Sequence, residues 1–165
     1  MLYHNITHFD MLNGEGVRTV LWVSGCEHAC FNCHNKITWN HDIGIEFDQA
    51  AKEEIFKELD KDYVSGITFS GGDPLSLKNR DTILEFATEI KEKYPNKTIW
   101  CYTGYTFENV RDLDGIELID VIVDGKYIDC LDIKKPLWRG SSNQRIIDVK
   151  KSLKNNEIIT YIKGV

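Results

Sequence analysis

The sequence predicts an α/β fold, either a partial (β/α) barrel or an open, curved, mostly parallel sheet, with its site at the C-terminal ends of the strands. Three observations carry this. Strand-like and helix-like segments alternate along the chain. Each strand-like run closes on a loop of glycine and polar residues, as in βα units whose ligands gather at the strand ends. Four βα steps are present, too few for a closed eight-stranded barrel.

Taken in order, residues 1–16 are mixed and end in Asn13-Gly14-Glu15-Gly16, a turn or close-approach loop by its glycines. Val17-Arg18-Thr19-Val20-Leu21-Trp22-Val23 is β-branched and aromatic and reads as a strand buried on both faces. Asp48 is an N-cap for a helix to about Leu59, with Ala51, Ile55 and Leu59 on one face. Gly66-Ile67-Thr68-Phe69-Ser70 is the next strand, closed by Gly71-Gly72-Asp73-Pro74. A second helix runs from Asn79 to Tyr94, carries Ile83, Ala87, Ile90 and Tyr94 at helical spacing, and stops at Pro95. Thr98–Tyr102 forms a third strand before Thr103-Gly104-Tyr105, and a short helix covers Phe107 to about Leu113. Ile119–Val123 forms a fourth strand, ending in Asp124-Gly125-Lys126. Residues 127–144 read as a long loop holding Pro136 and Trp138-Arg139-Gly140-Ser141-Ser142-Asn143-Gln144. Arg145–Val149 and Ile158–Ile162 are expected as final strands, joined as a hairpin across Lys154-Asn155-Asn156.

A chain of 165 residues suits one domain, 1–165, and buries a core without staples. With 42% hydrophobic and 28% charged residues it has an ordinary globular composition. Its net charge of −6 argues against a nucleic-acid or membrane surface as the main partner. No apolar run approaches the ~20 residues of a membrane span, and the N-terminus lacks the pattern of a signal peptide. Five Cys is an odd number, and three are crowded too tightly for a disulfide framework, so metal or redox chemistry in the cytoplasm is expected.

Those three are Cys26, Cys30 and Cys33, in a loop directly after the first buried strand. The spacing lets the loop wrap three sulfurs round one corner of a small inorganic core and leaves a four-iron cluster one protein ligand short. An iron with an open position can bind a substrate. The rival is a structural zinc site completed by His28 or His34, although zinc ligands usually come as two spaced pairs. An electron-transfer ferredoxin would need a fourth Cys for its cluster. Cys101 and Cys130 lie far off in sequence and are expected to be ordinary buried or half-buried thiols. His4, His8 and His41 have no partner at metal spacing, and the Glu and Lys residues of 52–61 and 89–97 read as solvated helix faces. Gly71 and Gly72 let backbone groups approach a small ligand closely. Asp124 and Lys126 occupy the same rim, where Asp accepts from an amine or ribose hydroxyl and Lys pairs with a carboxylate.

The cysteine triplet after one strand and Gly71-Gly72-Asp73-Pro74 after the next resemble the radical S-adenosylmethionine (SAM) enzymes. Asn13–Arg18, Ser24-Gly25-Cys26, Tyr102–Tyr105, Val123–Lys126 and Trp138–Gln144 narrow the resemblance to the activating proteins of anaerobic ribonucleotide reductase, over about residues 12 to 145. It implies a [4Fe-4S] cluster on Cys26, Cys30 and Cys33, with SAM on the open iron. Backbone groups of Asn32, Cys33 and His34 would then contact the adenine, and Gly71 and Gly72 the SAM amino group. Asp124 and Lys126 would face the methionine or ribose end. The implied reaction is reductive cleavage of SAM to methionine and a 5′-deoxyadenosyl radical. That radical takes a hydrogen atom from a glycine of the reductase's catalytic subunit, so no side chain is expected as acid or base. A flavodoxin or similar donor supplies the electron, and a homodimer is left open. Two departures from the family pattern stand out. Asn32 occupies the place where an aromatic residue often precedes the third cysteine, so that Phe31 or His34 takes over packing beside the adenine. Gly14-Glu15-Gly16 replaces Gly-Pro-Gly. The alternatives are an activase of another glycyl radical enzyme, such as pyruvate formate-lyase, or a non-catalytic zinc or iron–sulfur module.

Overall fold

The computed structural model describes residues 1–132 and 137–161. The strands are β1 (Leu2–Asp10), β2 (Val17–Val23), β3 (Ile45–Glu46), β4 (Val64–Gly71), β5 (Thr98–Tyr102), β6 (Val121–Asp124) and β7 (Arg145–Asp148). They form one open seven-stranded sheet in the order β3-β1-β2-β4-β5-β6-β7. Its centre, β2-β4-β5-β6, is parallel. Antiparallel strands finish both edges. The four parallel strands all end on one rim, where the cysteine loop, the Gly71–Pro74 loop, the Thr103–Tyr105 loop and the Asp124–Lys126 loop meet.

Among the described residues there are four α-helices: α1 (Gln49–Leu59), α2 (Arg80–Lys93), α3 (Phe107–Val110) and α4 (Val149–Asn155). Asp48 caps α1 by accepting from the Ala51 amide at 3.0 Å, which satisfies one of the orphan donors of a helix start. Leu21, Val23, Ile67, Phe69, Ile99, Cys101, Ile122 and Ile147 project from one sheet face into the main core with Ile55, Leu59, Ile83, Phe86 and Ile90 of α1 and α2. On the other face Trp100, Val121, Val123 and Ile146 pack beneath Trp138 and Tyr161. Arg18 is buried on that face. It donates to Thr68 Oγ1 and Thr98 Oγ1, and to the carbonyls of Glu15, Ile67 and Thr98. Its guanidinium stands 5.4 Å from the Trp100 ring centroid. Burial lowers its pKa to about 10, so it stays charged at neutral pH. Arg18 rivets the 13–16 loop to β4 and β5, and a Cβ at Gly14 would lie 2.8 Å from its Cδ.

Several expectations need correction. Residues 2–10 form β1 and not merely a mixed lead-in: register shifts after Tyr3 and after Thr7 break its period of two, so the buried Tyr3 and Ile6 fall three apart. The C-terminal hairpin is replaced by α4. Asp148 accepts from the Lys151 amide at 3.0 Å, and Asn156 ends the helix in the left-handed region at φ 50°. Among the described residues beyond it, the chain returns through an isolated bridge, Ile147 to Thr160; Ile162 lies outside the described residues. Among its described residues the 127–144 loop contains one 3₁₀ turn, Asp129–Leu131, and Pro136 lies outside the described residues. The third helix is one turn shorter than expected. The helix charges are not all solvated: Lys52 pairs with Glu89 at 2.5 Å and Lys91 with Asp120 at 2.6 Å, tying neighbouring elements together. Cys101 is buried, as its place in a strand suggests, but Cys130 is exposed.

Candidate functional site

Cys26, Cys30 and Cys33 are all free and half-buried. The loop that carries them turns tightly because Ala29 and Asn32, each just before a cysteine, take left-handed conformations at φ 48° and 52°. Its entry is clamped by Gly25 N to Thr38 O at 2.7 Å and Cys26 N to Trp39 O at 3.0 Å. The Asn35 amide donates to Cys33 Sγ at 3.4 Å. Burial pushes the Cys26 thiol up to about 11, against a smaller lowering effect of the His28 backbone, and raises Cys30 as well.

The Gly71–Pro74 loop lies directly against this one. Gly71 has φ +99°, and a Cβ on Gly72 would fall 2.3 Å from the Gly25 carbonyl. Glycine is therefore demanded at both places, one for conformation and the other for close approach. The Gly72 amide donates to Val23 O and the Asp73 amide to Gly25 O, at 2.8 and 2.7 Å. The buried Asp73 carboxylate gathers His28 Nε2 at 2.5 Å, Thr103 Oγ1 at 2.9 Å, the Gly104 amide at 3.0 Å and the Leu75 amide at 2.8 Å. One carboxylate thus joins the loops after β2, β4 and β5.

Asp124 is 1% exposed. Its oxygens accept from Arg145 Nε and Nη2 at 3.0 and 2.5 Å and from the Phe107 amide at 2.7 Å. Its carboxylate is thus turned to β7 and α3. Lys126 next to it is exposed, and its charge draws the Cys30 pKa down against the larger effect of burial. The His34 ring packs on Tyr127 with centroids 4.7 Å apart. The Trp138–Gln144 segment splints this loop: Gln144 Nε2 donates to Gly125 O, Asn143 Nδ2 to Lys126 O, and Ser141 Oγ accepts from the Ile128 amide. Gln144 Oε1 holds the segment itself through the Gly140 and Ser141 amides.

Cys26, Cys30, Cys33, Asn32, His34, Gly71, Gly72 and Lys126 therefore come together at one rim. Asp73 and Thr103 join them without having been singled out for a role, and His28, considered only as a fourth zinc ligand, joins them as the partner of Asp73; 45 and 30 residues separate Asp73 from these partners. The local signal for Asp73 and Thr103 was membership in the quoted Gly-Gly-Asp-Pro and Thr-Gly-Tyr motifs.

The donor set fits a thiolate-bound cluster. Three soft ligands sit on one loop, Cys33 Sγ has an N–H partner of the kind that tunes iron–sulfur centres, and His28 Nε2 is committed to Asp73. Among the described residues, no three His, Cys, Asp or Glu side chains group as one metal ion would require. Cluster ligands bind different irons and need not converge on a point. No described helix is long and apolar enough to cross a membrane.

Residues 12–147 match the family described as 4Fe-4S single cluster domain. Curated relatives include the anaerobic ribonucleoside-triphosphate reductase-activating protein of Enterobacteria phage T4, 44% identical over 146 residues, which span 88% of this chain and 93% of that protein. The protein of the same name from Escherichia coli K12 is 41% identical over 150 residues, spanning 87% of this chain and 96% of its own. That from Haemophilus influenzae is 40% identical over 141 residues, spanning 83% and 91%. On this likeness, extending over most of both chains, the protein belongs to the family of anaerobic ribonucleoside-triphosphate reductase-activating proteins, built on a 4Fe-4S single cluster domain.

Proposed function

We propose that this chain, as a single radical SAM domain, generates a glycyl radical on an anaerobic ribonucleoside-triphosphate reductase by reductive cleavage of SAM. The observation that carries the reading is the junction of the three-cysteine loop and the Gly71–Gly72 turn, which meet closely enough that a Cβ at Gly72 would strike Gly25. Cys26, Cys30 and Cys33 would hold a [4Fe-4S] cluster that, when bound, supplies one electron to SAM, whose S–C5′ bond then breaks to methionine and the radical that takes hydrogen from the reductase's glycine.

The chain's own residues bind and orient. Backbone groups of Asn32, Cys33 and His34 line the adenine side, with His34 steadied by Tyr127. Gly71 and Gly72 present backbone groups to the SAM amino group, and Lys126 offers its ammonium to the carboxylate. Asp124 enters as the anchor of the Gly125–Lys126 turn and not as a direct contact, because Arg145 and the Phe107 amide take its oxygens. A sheet open at its edges leaves the rim reachable by a loop of another protein. A flavodoxin-like electron donor and a cytoplasmic setting belong to the same proposal.

The test is anaerobic reconstitution followed by measurement of 5′-deoxyadenosine. About four irons per chain are expected from the cluster type, with SAM cleavage abolished by alanine at Cys26, Cys30 or Cys33. One zinc per chain and no cleavage would leave a binding module instead.

A further inference from the structure

Asp73 is 1% exposed, and both of its oxygens are engaged. Oδ1 takes the Leu75 amide and the Thr103 hydroxyl, while Oδ2 takes His28 Nε2 and the Gly104 amide. A buried carboxylate needs such a set of donors. This set is drawn from three loops of the rim.

His28 is confined on every side. Its side chain is 9% exposed, and its ring meets Tyr105 edge-on with centroids 4.6 Å apart. It also lies over Gly104, where a Cβ would sit 2.3 Å from His28 Cδ2. Because His28 falls between Cys26 and Cys30, a fixed ring fixes the backbone of the cysteine loop at that point. The Asp73 amide holds the entry of the same loop, donating to the Gly25 carbonyl at 2.7 Å.

We propose that the Asp73–His28 pair is a positioning device for the cluster. It holds the cysteine loop, between Cys26 and Cys30, in register with Gly71–Gly72, and thereby sets the cluster's reduction potential and the seating of SAM. Hydrogen bonds to the sulfurs are one of the levers on an iron–sulfur potential, and partners behind the ligands orient them. This rests on the reading of the site as a cluster that binds SAM.

The test uses the full chain, reconstituted anaerobically with iron and sulfide, as wild type, His28→Leu, His28→Gln and Thr103→Val. Leucine removes the bond to Asp73, glutamine offers an amide to it, and Thr103→Val removes another Asp73 donor without touching the cysteine loop. The readouts are iron per chain, midpoint potential from a redox titration followed by electron paramagnetic resonance, and KM for SAM separately from kcat. In His28→Leu the clusters that load are expected to show a displaced potential and a KM for SAM raised about tenfold or more. His28→Gln returns toward wild type, and Thr103→Val moves in the leucine direction by less. Loaded clusters with wild-type potential and KM overturn the inference, even if fewer of them load, because that is the signature of a merely structural role. If His28→Leu takes up no iron, the other two variants decide: wild-type potential and KM in both overturn it. A wild-type chain that neither holds four irons nor cleaves SAM sinks the functional reading itself, an outcome distinct from an unaltered variant.

Discussion

Asp73 and Asp124 are both 1% exposed and both stand at the C-terminal ends of parallel strands, yet they serve different regions of the molecule. Asp73 collects an imidazole, a hydroxyl and two amides from the loops that surround the cysteines. Asp124 collects a guanidinium from β7 and the Phe107 amide of α3, and Arg145 continues outward to Glu108 at 3.0 and 2.8 Å. The first carboxylate binds site loops to one another, whereas the second closes a sheet edge. Burial alone therefore does not distinguish a site residue from a structural one. The origin of its donors does.

The largest effect is expected at Asp73. Asp73→Asn turns an amide donor toward groups that are themselves donors, and SAM cleavage should fall by up to about a hundredfold, measured as 5′-deoxyadenosine formed. Asp124→Asn should instead appear mainly in stability, with a loss of about 2 kcal/mol in urea denaturation, since Arg145 is partly solvated and loses only part of its partner. Its catalytic loss should stay well below that of Asp73→Asn. A reversed order would break the comparison. Glu108→Gln should cost least, about 0.5 kcal/mol, because the Arg145–Glu108 pair is open to solvent. Hydrogen bonding from Arg145, the leading cause, holds the Glu108 pKa down to about 2. Its contribution is therefore present above the ordinary carboxylate range and is lost as pH falls toward 2. The stability gap between wild type and Glu108→Gln should close over that acid window, and a gap unchanged at pH 2 would contradict the assignment.

Local signals made much of this architecture legible. β2, α1, α2 and β5 announce themselves by apolar periodicity and by caps such as Asp48, which depend on neighbours in sequence. β1 was hidden because its two register shifts spoil alternation. α4 was hidden because it has only 7 residues and Ile158-Ile159-Thr160 mimics a strand, although Asp148 caps it just as Asp48 caps α1. The cysteine loop was readable since its three thiols fall within one short segment. Gly72 was readable as a close approach, though not that the approaching group is the Gly25 carbonyl. The Asp73–His28–Thr103 junction was not, because only the parallel order of β2, β4 and β5 brings those residues together. Asp124 stood out in sequence beside Gly125-Lys126. That Arg145 occupies its carboxylate emerges only once β7 pairs with β6.

The most direct test of the central claim is to mix the reduced, reconstituted chain and SAM with an anaerobic ribonucleoside-triphosphate reductase or, in parallel, with pyruvate formate-lyase, and to record electron paramagnetic resonance. A glycyl radical signal with the ribonucleotide reductase, dependent on SAM and absent from Cys26→Ala, is the predicted result. Radical formation only on pyruvate formate-lyase, or none on either despite an intact four-iron cluster, would contradict it.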